Sequence, residues 1–141
     1  MRLQAKALLL IWTCAMLLLS GCMFGDPPLP LVAAGKTKVP VTQNSYCWGN
    51  KCADYADAKS QLEEKKATTV PPGVELKIRY SGSDPKTLQA SMQTQDGTFH
   101  GAEIKDGVVK APLEPGVYYY AIHGFWKKGD SAGTFKIEVK P

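Results

Sequence analysis

The stretch GVYYYAIHGFWKKGDSAGTFKIEV, residues 116–139, decides the fold of this chain. Its first half, up to Trp126, is apolar at nearly every position, which is typical of a central β-strand buried on both faces. A Lys-Lys-Gly-Asp turn follows, and apolar residues then alternate with Lys136 and Glu138. This alternation predicts an amphipathic strand nearer a sheet edge. The two halves together predict a long hairpin that closes the chain.

The start of the hairpin, Pro115-Gly-Val-Tyr-Tyr-Tyr120, resembles the tyrosine corner of immunoglobulin-like sandwiches. In that motif a Tyr placed shortly after a turn bonds back to the upstream backbone. Tyr118 would take this role, with Tyr120 and Ile122 pointing inward beside it. The chain has no cysteine at the matching position and no upstream partner cysteine, so the likeness is to disulfide-free relatives. The resemblance covers roughly residues 68–141 and implies architecture rather than function.

The residues before the hairpin also read as strands. From Thr68 onward the apolar period is 2, and apolar residues from Val74 to Tyr80 alternate with Glu, Lys and Arg. A second strand should place Leu88, Ala90 and Met92 inward. Asp-Gly pairs, which favour hairpin turns, punctuate two further short strands at residues 98–104 and 108–111.

Residues 53–66 are the only helix candidate. Asp54 can cap it, and Tyr55, Ala58 and Leu62 fall on one face. This apolar stripe is thin, so the helix should lie on the domain surface. Before it, a short strand with Val39, Val41, Tyr46 and Trp48 should be interrupted by a turn at residues 43–45. The expected fold is a mainly β, immunoglobulin-like antiparallel sandwich over residues 39–141 with one short surface helix.

Residues 1–21 have the three parts of a signal peptide: Arg2 and Lys6, an apolar run, and small residues before a cleavage point. The apolar run is short for a membrane-spanning helix, which needs about 20 residues. Leu19-Ser-Gly-Cys22 resembles a bacterial lipobox. That resemblance implies a thioether-linked diacylglycerol on Cys22, cleavage before it, and a fatty-acid (palmitate-type) anchor on the extracytoplasmic face of the cell membrane. An uncleaved anchor and a signal peptide cleaved without lipidation are the alternatives.

Residues 22–38 read as a flexible tether between anchor and domain. Pro27, Pro28 and Pro30 disfavour a helix, and the Gly and Ala residues offer no packed face. Such a segment reaches a few tens of ångströms from a bilayer.

The charge balance excludes one class of partner. The chain has 17 basic and 13 acidic residues, and removal of Arg2 and Lys6 leaves 15 basic residues and a net charge of +2. So small an excess of positive charge does not predict binding to nucleic acid.

Cys47 and Cys52 are the only cysteines in the expected domain. In an extracytoplasmic compartment such a pair predicts a disulfide. The Cys-x₄-Cys spacing differs from the two-residue spacing of thioredoxin-type redox motifs and zinc knuckles. A redox or metal role for the pair is the alternative.

Two constellations could bind a ligand. Tyr119, His123 and Phe125 share one face of their strand by period 2, and with Trp48 they could form an exposed platform for a glycan or an envelope protein. The competing interpretation is that these aromatics are core. His100 and His123, joined by Met92 or Asp96, could hold copper or zinc, but dispersed histidines are commonly plain surface or core residues.

The sequence shows no nucleophile–base arrangement, phosphate loop or dinucleotide fingerprint, so no catalytic residue and no cofactor is assigned. Two classes of function follow: a membrane-anchored binding or accessory module, or an envelope metal carrier or enzyme that uses the histidines or the cysteine pair. The lipobox, a Cys-Trp-Gly segment and the hairpin together resemble bacterial lipoproteins, in particular those of Gram-positive bacteria with an immunoglobulin-like β-sandwich. This resemblance implies anchoring and fold, and it brings no known activity with it.

Overall fold

The computed structural model describes residues 25–141. The expected signal peptide and the lipobox with Cys22 lie outside the described residues. Within them the chain forms eleven strands and one short helix, arranged as two sheets packed face to face. The mainly β sandwich expected from the sequence is confirmed. No helix in residues 25–141 is long and apolar enough to cross a bilayer.

The smaller sheet has four antiparallel strands in the order β2-β1-β6-β9. Their bounds are β1 Leu31–Ala34, β2 Thr37–Val39, β6 Glu75–Arg79 and β9 Val108–Lys110. β6 shows the expected alternation, because its apolar residues are buried and its charged residues exposed. The sheet therefore has one face on the core and one in solvent.

The larger sheet has seven strands, six of them in the order β4-β3-β11-β10-β7-β8. β5 pairs with β11 in parallel, while the other pairs are antiparallel. The bounds are β3 Thr42–Trp48, β4 Lys51–Ala53, β5 Thr68–Val70, β7 Thr87–Thr94, β8 Phe99–Ala102, β10 Gly116–Trp126 and β11 Gly129–Val139.

The closing hairpin is the centre of this sheet. β10 and β11 pair along their full length, from Gly116 opposite Val139 to Trp126 opposite Gly129. β10 lies between β11 and β7, so its expected central position is confirmed. The expectation that β11 lies nearer an edge is wrong. β3 and β5 pair with the edge of β11 that faces away from β10. Lys136 and Glu138 alternate with apolar residues because they point away from the core, not because the strand is at an edge.

The main core lies between the sheets. Tyr118, Tyr120 and Ile122 point inward from β10, as expected, and pack with apolar residues of the smaller sheet. The other buried members of this cluster are Val32, Ala34, Val39, Val70, Leu76, Ile78, Val109, Ala111, Phe135, Ile137 and Val139. The ring of Tyr120 stacks on Phe135 with centroids 5.0 Å apart. Because this cluster lies within residues 32–139, the described segment has a complete core of its own.

The tether predicted for residues 22–38 is too long. β1 and β2 fall inside it, and Val32 pairs with both Val39 and Ile78. The prolines do not prevent this, since they precede β1 and the buried Pro30 ends the irregular segment. The folded domain therefore begins at about Leu31 rather than Val39.

Two further expectations need correction. β3 is continuous through the predicted turn, with an irregularity in its pairing to β11 rather than a break. The helix, α1, spans only Ala58–Leu62 and is capped by Asp57 instead of Asp54. Its start is late because residues before it bond to β3: Tyr55 N donates to Ser45 Oγ at 3.0 Å, and Asn44 Nδ2 donates to the Ala56 carbonyl at 2.8 Å.

α1 lies on the outer face of the larger sheet, as a surface helix should. Ala58 and Leu62 cover the buried ring of Tyr119. Lys136 crosses beneath the helix and donates from Nζ to the carbonyls of Leu62, Glu63 and Lys65 at 3.3, 2.8 and 2.9 Å. A cation on the last carbonyls is favourable at a helix C-terminus.

Candidate functional site

The predicted aromatic platform is divided by the fold. Tyr119 is only 1% exposed because α1 covers it, so this residue belongs to the core. His123 and Phe125 continue the same outer face beyond the helix, and their rings stack with centroids 4.3 Å apart. Of the platform residues on this face, only His123 and Phe125 are partly accessible.

Trp48 lies on the opposite face from the other three residues. It pairs with Gly129, which pairs with Trp126, so Trp48 and Trp126 share the inner side of the sheet. Their rings meet edge to face at 5.5 Å, and Trp126 also contacts Tyr80 at 5.0 Å. These aromatics close one end of the sandwich. The four-residue platform is therefore wrong.

The cluster at this end includes an unpaired phenol. The Tyr80 hydroxyl is buried and has no hydrogen-bond partner within the described chain. Burial raises the pKa of Tyr80 to about 12. Gly124 makes the packing possible, because a β-carbon there would lie 2.5 Å from the Trp126 ring and 3.1 Å from the Tyr80 hydroxyl.

His123 has a partner that the sequence did not suggest. Its Nε2 lies 2.7 Å from Oδ2 of Asp130, and both side chains are about one third exposed. A histidine–carboxylate pair can hold or exchange a proton. Within residues 25–141 the hydrogen-bond partner of the His123 ring is Asp130.

The histidine pair proposed for copper or zinc is not brought together. His100 lies on β8 opposite Met92, which pairs with the inward-facing Tyr120, whereas His123 projects from the outer face. The sheet thus separates the two imidazoles. Among the described residues, no three His, Cys, Asp or Glu side chains are grouped so as to hold a metal ion.

The disulfide is formed. Cys47 and Cys52 face each other across β3 and β4, with an S–S distance of 2.07 Å and Cα atoms 4.1 Å apart. Gly49 takes a positive φ of 62° in the turn between the strands, a conformation that glycine adopts without steric cost. The bridge closes the outermost hairpin of the larger sheet, directly before the segment that leads to α1.

A cleft opens on the other side of the sandwich, between the free sides of β8 and β9. It has a volume of about 550 Å³. Its floor is apolar and includes Met92, Val109 and Tyr120. The remaining lining residues are Glu75, Gly101, Ala102, Glu103, Lys105, Asp106, Val108, Lys110 and Pro112. The charges on the rim are mixed in sign, so the cleft does not select for a strongly charged ligand.

Both strands beside the cleft are edge strands. Within the described chain β8 pairs only with β7, and β9 pairs as a strand only with β6. β8 has the sequence FHGA, with no lysine or proline to block further pairing. Phe99 on this strand is 64% exposed. An edge with these properties can pair with another extended chain.

No family model, curated protein or solved structure matches this chain. The site must therefore be interpreted from its own geometry. Of the features described, the cleft combines an apolar floor with the free main-chain edge of β8. The His123–Asp130 pair offers one proton-exchanging group on a shallow face.

The sequence did not point to the cleft. Its lining residues come from five strands and from the loops on both sides of β9, so no local motif marks them. The sequence signal that could have marked the cleft was the segment Phe99–Ala102, which has no lysine, acidic residue or proline to prevent pairing with another strand. Asp130 was also missed, because its partner lies across the hairpin.

Proposed function

We propose that the protein is a lipid-anchored binding module on the extracytoplasmic face of the cell membrane, and that it captures an extended segment of an envelope protein. The cleft between β8 and β9 carries this proposal. The lipobox and the Cys47–Cys52 pair support the compartment, because disulfides persist outside the cytoplasm.

Strand addition is the binding mode that fits the cleft. An extended peptide that pairs with β8 gains main-chain hydrogen bonds, and its alternate side chains point to one side. On that side lies the apolar floor with Met92 and Tyr120. The backbone would supply affinity, and the shape of the floor would supply selectivity among apolar side chains.

The volume also fits this ligand. A cleft of about 550 Å³ is within the usual size range for small ligand sites, roughly 300–1,000 Å³. It holds a few side chains rather than a folded domain. The module should therefore recognise a short segment of its partner, as an accessory protein that stays anchored in the membrane would.

The test is site-specific photocrosslinking on intact cells. A photoreactive residue at Glu103, on the cleft rim, should yield a crosslinked partner. The same residue at Gln89, which is exposed on the other face of β7, should not. Mass spectrometry should place the crosslink in one extended segment of the partner.

A synthetic peptide of that segment then gives a direct binding assay. Ala102→Trp should abolish binding by filling the cleft, while Gln89→Trp should leave it unchanged. Equal crosslinking at both positions, or peptide binding that survives Ala102→Trp in a folded variant, would refute the cleft as the site.

A further inference from the structure

We infer that the exposed face of the smaller sheet is a second membrane contact, which rests on an anionic phospholipid bilayer and fixes the orientation of the anchored domain. The inference rests on the proposed function in one respect: the lipid anchor at Cys22 brings this face near a bilayer. Its occupant is the bilayer surface itself.

The charge of this face is one-sided. β-Strand pairing places Lys38 and Lys77 on either side of Ala33, and Arg79 beside Leu31. Lys110 lies on the same face opposite Glu75, which is the only carboxylate among the outward residues of these four strands. Lys36 extends the patch in the β1–β2 turn.

These cations are available for a ligand. Lys36, Lys38, Lys77, Arg79 and Lys110 are all exposed. Lys59–Glu63, His123–Asp130 and Lys140–Glu138 are ion pairs of the described residues, and none of them involves this face. The excess of charge is therefore local, although the net charge expected for the mature chain is only +2.

The same region is apolar between the cations. Leu31 is 61% exposed and Leu29 is 36% exposed. They line a shallow hollow of about 640 Å³ whose other walls are mainly Pro, Val and Ala, with Lys38, Lys77 and Arg79 at its border. Apolar side chains ringed by cations suit the boundary between acyl chains and anionic headgroups.

The chain length brings this patch to the membrane. Leu29 is seven residues from Cys22, so even a fully extended connection spans only about 25 Å. Because the folded domain begins near Leu31, the patch is the part of the domain closest in sequence to the anchor. β2 and β9 are at opposite edges of the smaller sheet, and the cleft lies between β9 and β8. Contact through β1 and β2 therefore leaves the cleft open to partners.

The test measures partitioning without the anchor, so it does not depend on lipidation of Cys22. The chain from residue 23 onward, which contains the complete core, is mixed with vesicles of phosphatidylglycerol and phosphatidylcholine or of phosphatidylcholine alone. Bound and free protein are separated by flotation. The wild type should favour the anionic vesicles, and high salt should remove the preference.

Charge-neutralising variants locate the contact. Lys38→Gln, Lys77→Gln and Arg79→Gln together should lower partitioning by about a hundredfold, because each cation near an anionic surface contributes roughly a factor of five. The matched control neutralises three exposed lysines elsewhere, Lys51, Lys66 and Lys127. The control should lose only a few-fold, although its net charge changes equally.

Leu31→Ser is a second variant that leaves the charge unchanged and should also weaken partitioning. Equal losses in the two triple variants would overturn the inference, since net charge alone would then explain binding. Wild-type protein that does not distinguish the two vesicle types would overturn it as well. Fatty-acid labelling of Cys22 is a separate measurement, so failure of the anchor and failure of this face are distinguishable.

Discussion

Removal of the hydroxyl of Tyr118 should lower the stability of the domain, whereas removal of the hydroxyl of Tyr80 should not. The Tyr118 hydroxyl donates to the carbonyl of Glu114 at 2.9 Å, which is the hydrogen bond expected of a tyrosine corner. The Tyr80 hydroxyl is buried without a partner in the described chain. Both residues can be changed to Phe, which keeps the ring and its packing.

The structure sets the magnitude of each effect. A neutral intramolecular hydrogen bond contributes about 1 kcal/mol net. Glu114 is exposed, so water can solvate its carbonyl after the change, and the loss in Tyr118→Phe should stay near that value. In Tyr80→Phe an unpaired buried hydroxyl disappears, so the protein should be unchanged or more stable by up to about 1 kcal/mol.

Thermal and urea unfolding measure both effects. For a domain of roughly 120 residues, 1 kcal/mol corresponds to a shift in Tm of about 4 °C. Tyr55→Phe is the control, because its hydroxyl makes no hydrogen bond in the described chain and the ring is 49% exposed. If Tyr118→Phe melted like the wild type, or if Tyr80→Phe lost as much as Tyr118→Phe, the assignment of the two hydroxyls would be refuted.

Three further predictions concern the disulfide, a turn and the helix. Cys47 and Cys52 should resist alkylation until they are reduced, and replacing both with Ser should lower the free energy of unfolding by about 2 kcal/mol, the value expected for so small a loop; free thiols in the exported protein would contradict this. Hydrogen bonds, with the largest effect from the Thr94 hydroxyl, lower the pKa of Asp96 to about 2. The stability that Asp96 contributes should therefore be complete above its unfolded pKa near 3.8 and be lost as pH falls through about 2. NMR titration should show that pKa, and Thr94→Val should raise it. Lys136→Met should cost about 1 kcal/mol and increase amide hydrogen exchange in α1, because the carbonyls of Glu63 and Lys65 lose their donor and that of Leu62 keeps only Lys65 N; unchanged exchange there would argue against the cap.

Local patterns predicted the parts of the fold that depend on local interactions. The apolar run from Val117 to Trp126 predicted the central strand, and the tyrosine corner needed only a turn and a Tyr a few residues apart. Asp-Gly turns were predictable for the same reason. Asp106 and Gly107 take positive φ values of 52° and 73°, as such a hairpin turn requires.

The rest depends on partners distant in sequence. β1 looked like tether because its short apolar stretch becomes a strand only when Val32 meets Ile78, 46 residues later. β11 looked like an edge strand because the sequence does not show that β3 and β5 pair with it. Strand pairing also separated the residues of the predicted aromatic platform, because it placed Trp48 and His123 on opposite faces of the larger sheet.

The proposed anchor at Cys22 would determine where the proposed binding cleft operates and which surface the basic face meets. It can be tested by growing cells with a radiolabelled or alkyne-tagged fatty acid. The wild type and Cys14→Ser should incorporate the label, since Cys14 lies in the segment expected to be removed. Cys22→Ser should not incorporate it, and the N-terminal peptide of the mature wild type should begin at a lipid-modified Cys22. Equal labelling of the wild type and Cys22→Ser would contradict the anchored module.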